Sequence, residues 1–172
     1  CVGCHACSQA CKESHGFPGN GEETELDATT YTVVLDKGDD RYLRRMCMHC
    51  ADPSCASACP VGAFTKTELG PVVYDGSKCL GCRYCMMACP FGVPRYEWSK
   101  PVPVVRKCDG CFERQREGKV NACVEACPAE ASVAGTREEM LAEARKRMAE
   151  SPGAYHPQVY GEHEVGGDEG GV

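Results

Sequence analysis

β-Branched and aromatic residues gather in two short stretches, Tyr31-Thr-Val-Val-Leu35 and Arg41-Tyr-Leu-Arg-Arg-Met46, on either side of the polar run Asp36-Lys-Gly-Asp-Asp40. Such a pair with a glycine-containing turn predicts a β-hairpin over 31–46. A shorter pair, Ala63-Phe-Thr-Lys66 and Pro71-Val-Val-Tyr74 around Thr-Glu-Leu-Gly, predicts a second hairpin, and Ala131-Ser-Val-Ala134 is a further candidate strand. The clear helical period comes late. Met140, Leu141, Ala144 and Met148 recur at helical spacing after Thr136-x-x-Glu139, a capping box, and Ser151-Pro-Gly153 ends the run. That stripe is expected to pack against the body of the protein. Tyr155 to Val172 is rich in glycine and acid without any period, and is expected to be an extended tail that becomes ordered on a partner. No stretch approaches the roughly 20 apolar residues of a membrane helix.

Composition changes this picture in two ways. Only 7% of the 172 residues are aromatic, so the apolar core is thin for the length and something else must hold the chain together. The formal charge of -6 argues against nucleic acid as a partner. Basic residues nonetheless gather near the cysteines, as at Arg41, Arg44, Arg45, Arg83, Arg95, Arg106 and Lys107. A cation beside a redox centre stabilises its more negative, reduced state. The chain opens on a cysteine and closes on Val165 to Val172, so it is expected to be an interior piece of a longer protein, lacking a first strand and any export signal.

What holds the chain is sixteen cysteines in four groups of four. They are Cys1, Cys4, Cys7 and Cys11; Cys47, Cys50, Cys55 and Cys59; Cys79, Cys82, Cys85 and Cys89; Cys108, Cys111, Cys123 and Cys127. Three groups end in Cys-Pro, and the third reads C-x2-C-x2-C-x3-C-P, the bacterial ferredoxin run that ligates a [4Fe-4S] cluster. A disulfide scaffold would scatter its cysteines over loops instead of stacking them in hooks. A zinc site needs two hooks, whereas the first and third groups have three thiols in unbroken series. A cluster that opens one iron to substrate would need C-x3-C-x2-C, and no x3 pair here has that further cysteine. Every iron can take a protein thiolate, which favours electron transfer over chemistry at iron. No nucleophile-base pair, phosphate loop or flavin motif is present, so no catalytic site is expected.

The groups repeat, and in two-cluster ferredoxin units the fourth cysteine of each run ligates the other cluster. Groups two and three, adjacent in sequence, then form Cys47, Cys50, Cys55 and Cys89 with Cys59, Cys79, Cys82 and Cys85. Groups one and four pair across the gap as Cys1, Cys4, Cys7 and Cys127 with Cys11, Cys108, Cys111 and Cys123. A sequential pairing of one with two and three with four is the alternative, weakened by the missing Cys-Pro in group one. The expected fold class is α+β. Residues 1–30 and 99–135 form an outer unit, 31–46 a hairpin insert and 47–98 an inner unit, while 136–172 form a helix and docking tail. With four thiols in each group, His5 and His49 are expected to tune sulfur by hydrogen bonding and not to ligate iron. His15, His156 and His163 are read as surface residues, and Tyr96 and Trp98 as packing in the Pro-rich link Pro94 to Pro103.

Beyond the cysteines, the stretches CVGCHAC, CMHCADPSC, CRYCMMACPFGVPRY, RKCDGC, CVEACP, GTREEMLAEARKR and YGEHEVGG resemble the four-cluster iron-sulfur subunits of membrane-bound respiratory oxidoreductases. That family includes hydrogenase-2 type iron-sulfur subunits, formate dehydrogenase beta subunits, and the subunits serving dimethyl sulfoxide, polysulfide and nitrate reductases. In nitrate-reductase relatives one cluster cysteine is a tryptophan, and all sixteen positions here are cysteine. The resemblance implies the interleaved pairing, and four [4Fe-4S] clusters in a line between a catalytic subunit and a quinone- or haem-linked membrane subunit. It implies a membrane complex, usually on the periplasmic face. The competing expectation is a free-standing polyferredoxin that shuttles electrons between soluble enzymes.

Overall fold

A computed structural model describes residues 1–101 and 104–163. The fold is α+β, with three separate two-stranded antiparallel hairpins and short helices. β1 (Val33–Asp36) pairs with β2 (Tyr42–Arg45), Val33 opposite Arg45. β3 (Phe64–Lys66) pairs with β4 (Val72–Tyr74), Phe64 opposite Tyr74. Both lie where the side-chain pattern places them. Arg95–Tyr96 (β5) and Val105–Arg106 (β6) form a third hairpin out of the Pro-rich link, with Trp98 just beyond the paired strand β5. Pro103, the far end of that link, lies outside the described residues.

Among the described residues, four of the six α-helices carry some of the thiols. α1 (Ala6–His15) holds Cys7 and Cys11, α2 (Ser54–Ser57) holds Cys55, α3 (Tyr84–Ala88) holds Cys85, and α4 is Phe112–Arg116. α5 (Ala122–Glu125) holds Cys123, and α6 (Arg137–Glu150) follows. Helices of four or five residues are too short to stand alone, so packing must fix them. α1 packs on α5 and α2 packs on α3. The helix of the first cysteine group thus meets that of the fourth, and the second meets the third.

The apolar core is divided into small clusters, three of which include fully buried cysteines. Phe64, Val72 and Val105 surround Cys85; Val34 joins Cys7 and Cys123; Tyr31 joins Cys11 and Cys108. Leu26, Val33 and Val93 form a fourth, against which Cys47 and Cys89 rest.

Three expectations change. Residues 131–134 form no strand, because backbone N–H groups there point to the Cys127 sulfur instead of a neighbouring strand. α6 has its complete capping box, yet none of its residues is buried. Met140, Ala144 and Met148 face Tyr155 and Val159 of the chain's own return, across a cavity of about 360 Å³. The tail is therefore not extended as far as it is described. It turns back along α6, where Arg145 pairs with Glu162 and Arg137 donates to the Glu162 carbonyl at 3.0 Å, and Tyr160 meets Phe91 edge to face at 6.5 Å. Residues 164–172 lie outside the described residues.

Candidate iron-sulfur sites

The local hook is the unit from which the sites are built. In Cys47-x-His49, Cys79-x-Gly81 and Cys108-x-Gly110 the third residue has positive φ, at 46°, 72° and 69°. That bend turns its backbone N–H onto the first sulfur at 3.4 Å in each hook. Glycine suits the left-handed conformation because a Cβ is crowded there. At Gly110 the crowding is concrete, since a Cβ would stand 2.9 Å from Pro71. Cys59 receives a comparable bond from the N–H of Ala63, at 3.3 Å. Backbone donors aimed at sulfur favour thiolate and tune a metal bound to it.

Cys1, Cys4, Cys7 and Cys127 line one cavity of about 410 Å³ together with His5, Tyr42 and Arg44. Burial pushes the Cys7 thiol up while Arg44 pulls it down. At Cys127 burial acts upward too, but N–H groups of residues 131, 132 and 129, with Arg44, hold it below the usual thiol range. Arg44 Nη1 is buried without a hydrogen-bond partner among the described residues. An anionic, sulfur-rich group in the cavity would satisfy it, so the donor set fits an iron-sulfur cluster.

The remaining thiols are placed by whom they feel. Cys108 is raised well above the ordinary value by burial and then by Cys47 and Cys11. Cys111 is raised by burial, with Cys123 nearby, and Cys123 also neighbours Cys7. Burial lifts Cys55 to about 11 despite Lys107, and Cys47, Cys89 and Cys50 add to it. Cys85, likewise about 11, is lifted by burial and by Cys55, Cys59, Cys79 and Cys82. Crowded, desolvated thiols of this kind cannot all ionise unless cations join them, which iron would supply. All sixteen are free of disulfides. Among the described residues no His, Cys, Asp or Glu trio converges on a point suited to a single ion.

Two histidines behave differently from each other. His49 has Nε2 3.5 Å from Cys108 Sγ, as an outer-shell donor should. His15 is a correction, because it is half-buried and not a surface residue. Its Nδ1 lies 2.8 Å from the Cys11 carbonyl and its Nε2 3.1 Å from Asp109, with Phe17 and Tyr31 against the ring. Burial opposes its protonation, but the hydrogen bonds to Asp109 and Cys11 outweigh that and raise it to about 11. The sequence signal was its place four residues after Cys11, one helical turn on. Trp98 packs edge-on against Tyr96 at 4.8 Å but remains 68% exposed, with Arg83 over its ring at 5.3 Å, while Tyr96 packs inward against the Cys85 cluster. Of the basic residues, Arg44 and Lys107 reach thiols, whereas Arg41 pairs with Asp39 in solvent. Lys66, which lies near Cys50 and Cys47, was missed because it belongs to a hairpin distant in sequence from its own hook.

Residues 39–137 match a 4Fe-4S dicluster domain, and residues 1–14 a 4Fe-4S binding domain. The chain belongs to the 4Fe-4S dicluster family. Its iron-sulfur character is therefore that of a ferredoxin-like protein. It is 44% identical over 183 residues to a protein of Nitratidesulfovibrio vulgaris, covering 97% of this chain and 50% of the relative. It is 38% identical over 213 residues to the hydrogenase-2 operon protein HybA of Escherichia coli O157:H7, covering 97% and 65%. It is 41% identical over 150 residues to the probable anaerobic dimethyl sulfoxide reductase chain YnfG of Escherichia coli K12, covering 81% and 71%. The chain thus spans between half and 65% of the first two relatives. Among the described residues no helix is long and apolar enough to cross a membrane.

Proposed function

We propose that this chain is a non-catalytic electron-transfer subunit that holds four [4Fe-4S] clusters in a line. It would stand between a catalytic oxidoreductase subunit, of hydrogenase or molybdopterin type, and a quinone- or haem-linked membrane subunit. Cys1, Cys4, Cys7 and Cys127 form the first set, and Cys11, Cys108, Cys111 and Cys123 the second. Cys47, Cys50, Cys55 and Cys89 form the third, and Cys59, Cys79, Cys82 and Cys85 the fourth. Two interleaved units, 1–30 with 99–135 and 47–98, supply them.

The observation that carries this reading is the packing of α1 on α5, together with the meeting of Cys127 and Cys1, Cys4 and Cys7 around one cavity. A sequential pairing would set α1 beside α2 instead. The proposed order of the sets is supported by neighbours across their borders: Cys7 with Cys123, Cys108 with Cys47, and Cys55 with Cys85. When bound, the clusters would supply one-electron redox chemistry. The protein's part is to hold the sulfurs, exclude water around the second set and place cations near thiolates. A membrane complex on the periplasmic face is part of the same proposal, drawn from the family resemblance of the motifs.

Isolation of the native protein in mild detergent tests the assignment. About sixteen irons and as many acid-labile sulfides per chain are expected, four for each [4Fe-4S] site, with a catalytic and a membrane subunit co-purifying. A monodisperse monomer without companions would refute the complex. Cys127→Ser should abolish the paramagnetic signal of the site containing Cys1, Cys4 and Cys7. Loss of only the site containing Cys108 and Cys111 would refute the interleaving.

A further inference from the structure

His49 stands where the second cysteine group meets the fourth. Its backbone, at φ 46°, donates N–H to Cys47 Sγ at 3.4 Å. Its ring reaches the other way, with Nε2 3.5 Å from Cys108 Sγ. The backbone N–H of Val72 lies 3.0 Å from Nδ1. A backbone N–H only donates, so Nδ1 carries the lone pair and the neutral ring keeps its proton on Nε2. The Nε2–H is thereby aimed at Cys108.

The surroundings fix this arrangement. Lys107, only 5% exposed, donates to the Val72 carbonyl and, at 2.8 Å, to the Cys108 carbonyl, tying both ends of the ring's contacts together. Lys66 donates to the His49 carbonyl at 2.8 Å. The ring is held neutral by geometry, because Nδ1 accepts the Val72 N–H and only Nε2 is left to carry a proton. Cys108 itself is buried and accepts a second bond, from Gly110 N–H at 3.4 Å.

We propose that His49 is a positioning residue for electron passage, joining the Cys47 thiolate to the Cys108 thiolate through two N–H donors on one residue. Its ring donor raises the potential of the iron site that Cys108 ligates. The inference rests on the assignment of Cys47 and Cys108 to neighbouring clusters. An N–H aimed at sulfur favours the reduced site, which is the more negative one. One electron passes from the site being oxidised to the site being reduced.

Two variants in the iron-loaded complex separate this role from a structural one. His49→Asn tolerates the left-handed backbone and keeps the N–H to Cys47, but its side chain is too short to reach Cys108. His49→Gln restores a donor with longer reach. In His49→Asn with full iron, the reduction equilibrium of the Cys108 site should shift about tenfold toward the oxidised form, or 59 mV for one electron. The other three sites should hold, and His49→Gln should recover at least half the shift. An unmoved potential in fully loaded His49→Asn overturns the proposal.

If His49→Asn fails to retain iron, histidine labelled with 15N in a His15→Gln background, which removes the ring beside Cys11, decides. A 15N hyperfine coupling at the reduced Cys108 site there supports the bridge, and its absence overturns it. Cys47→Ser and Cys108→Ser must also extinguish different paramagnetic signals. Should they extinguish the same one, the ligand assignment has failed and the bridge falls with it. Different signals with an unmoved potential overturn the bridge alone.

Discussion

Cys11, Cys108, Cys111 and Cys123, the proposed second set, are all buried, whereas Cys1 and Cys4 of the proposed first set and Cys82 of the proposed fourth are exposed. The same short hook serves both environments, at Cys108-Asp-Gly110 and at Cys79-Leu-Gly81. The difference lies in what encloses it. The central set has His15, Asp109, His49 and Tyr31 about it, while the region of Cys82 presents Leu80, Tyr84, Met87 and Trp98 to solvent. A buried redox site is kept from water and tuned by protein donors, and an exposed one can meet another molecule. On the proposed reading, the ends exchange electrons with partners and the centre sets the potential between them.

The largest effect expected is from removing iron altogether. The thin apolar core is organised around the thiols, so the apoprotein should lack a cooperative thermal transition by circular dichroism. A native-like cooperative melt without iron would show that centre and ends alike are held by side-chain packing. Staged chelation sharpens the contrast. Iron bound through exposed Cys1, Cys4 and Cys82 should leave first, and the site of buried Cys108 last, as followed by paramagnetic resonance. Simultaneous loss would erase the distinction.

A pair of glycine substitutions measures the same contrast in stability. Gly110→Ala forces a Cβ to 2.9 Å from Pro71 at positive φ, beside the central set. It should cost about 2–3 kcal/mol by denaturant unfolding of the loaded protein. Gly81→Ala meets the hydroxyl of Tyr96, also at 2.9 Å, but a phenol tip can swing aside. That variant should cost about 1–2 kcal/mol, for the backbone alone. Equal losses would mean that the centre is no more rigid than the end. The smallest effect belongs to the cap of α6. Thr136→Ala removes the cap bond to the Glu139 N–H and should cost about 1 kcal/mol, without moving any cluster potential.

Much of this was legible in the chain because it is local. Hairpins at 33–45 and 64–74 follow from side-chain pattern and turn residues, and the Thr136 cap was readable from two residues three apart. The third hairpin was hidden by prolines, whose lack of N–H argues against strands except at edges. His15 was misread because its partner Asp109 lies far along the chain. The return of residues 155–163 onto α6 was missed because acidic, glycine-rich composition reads as solvated, and only Arg137 and Arg145 make Glu162 an anchor.

The sequence by itself determined the inventory of thiols and the hook, since a thiol and the N–H two residues on are joined by a few backbone dihedrals. Only the tertiary structure decided which thiols share a cavity, which are buried, and that His49 touches sulfurs of two groups. Those depend on α1 finding α5 and α2 finding α3, and on what solvent is left outside. Spacing alone encodes neither, because helix packing and desolvation are properties of surfaces that the chain brings together only when folded.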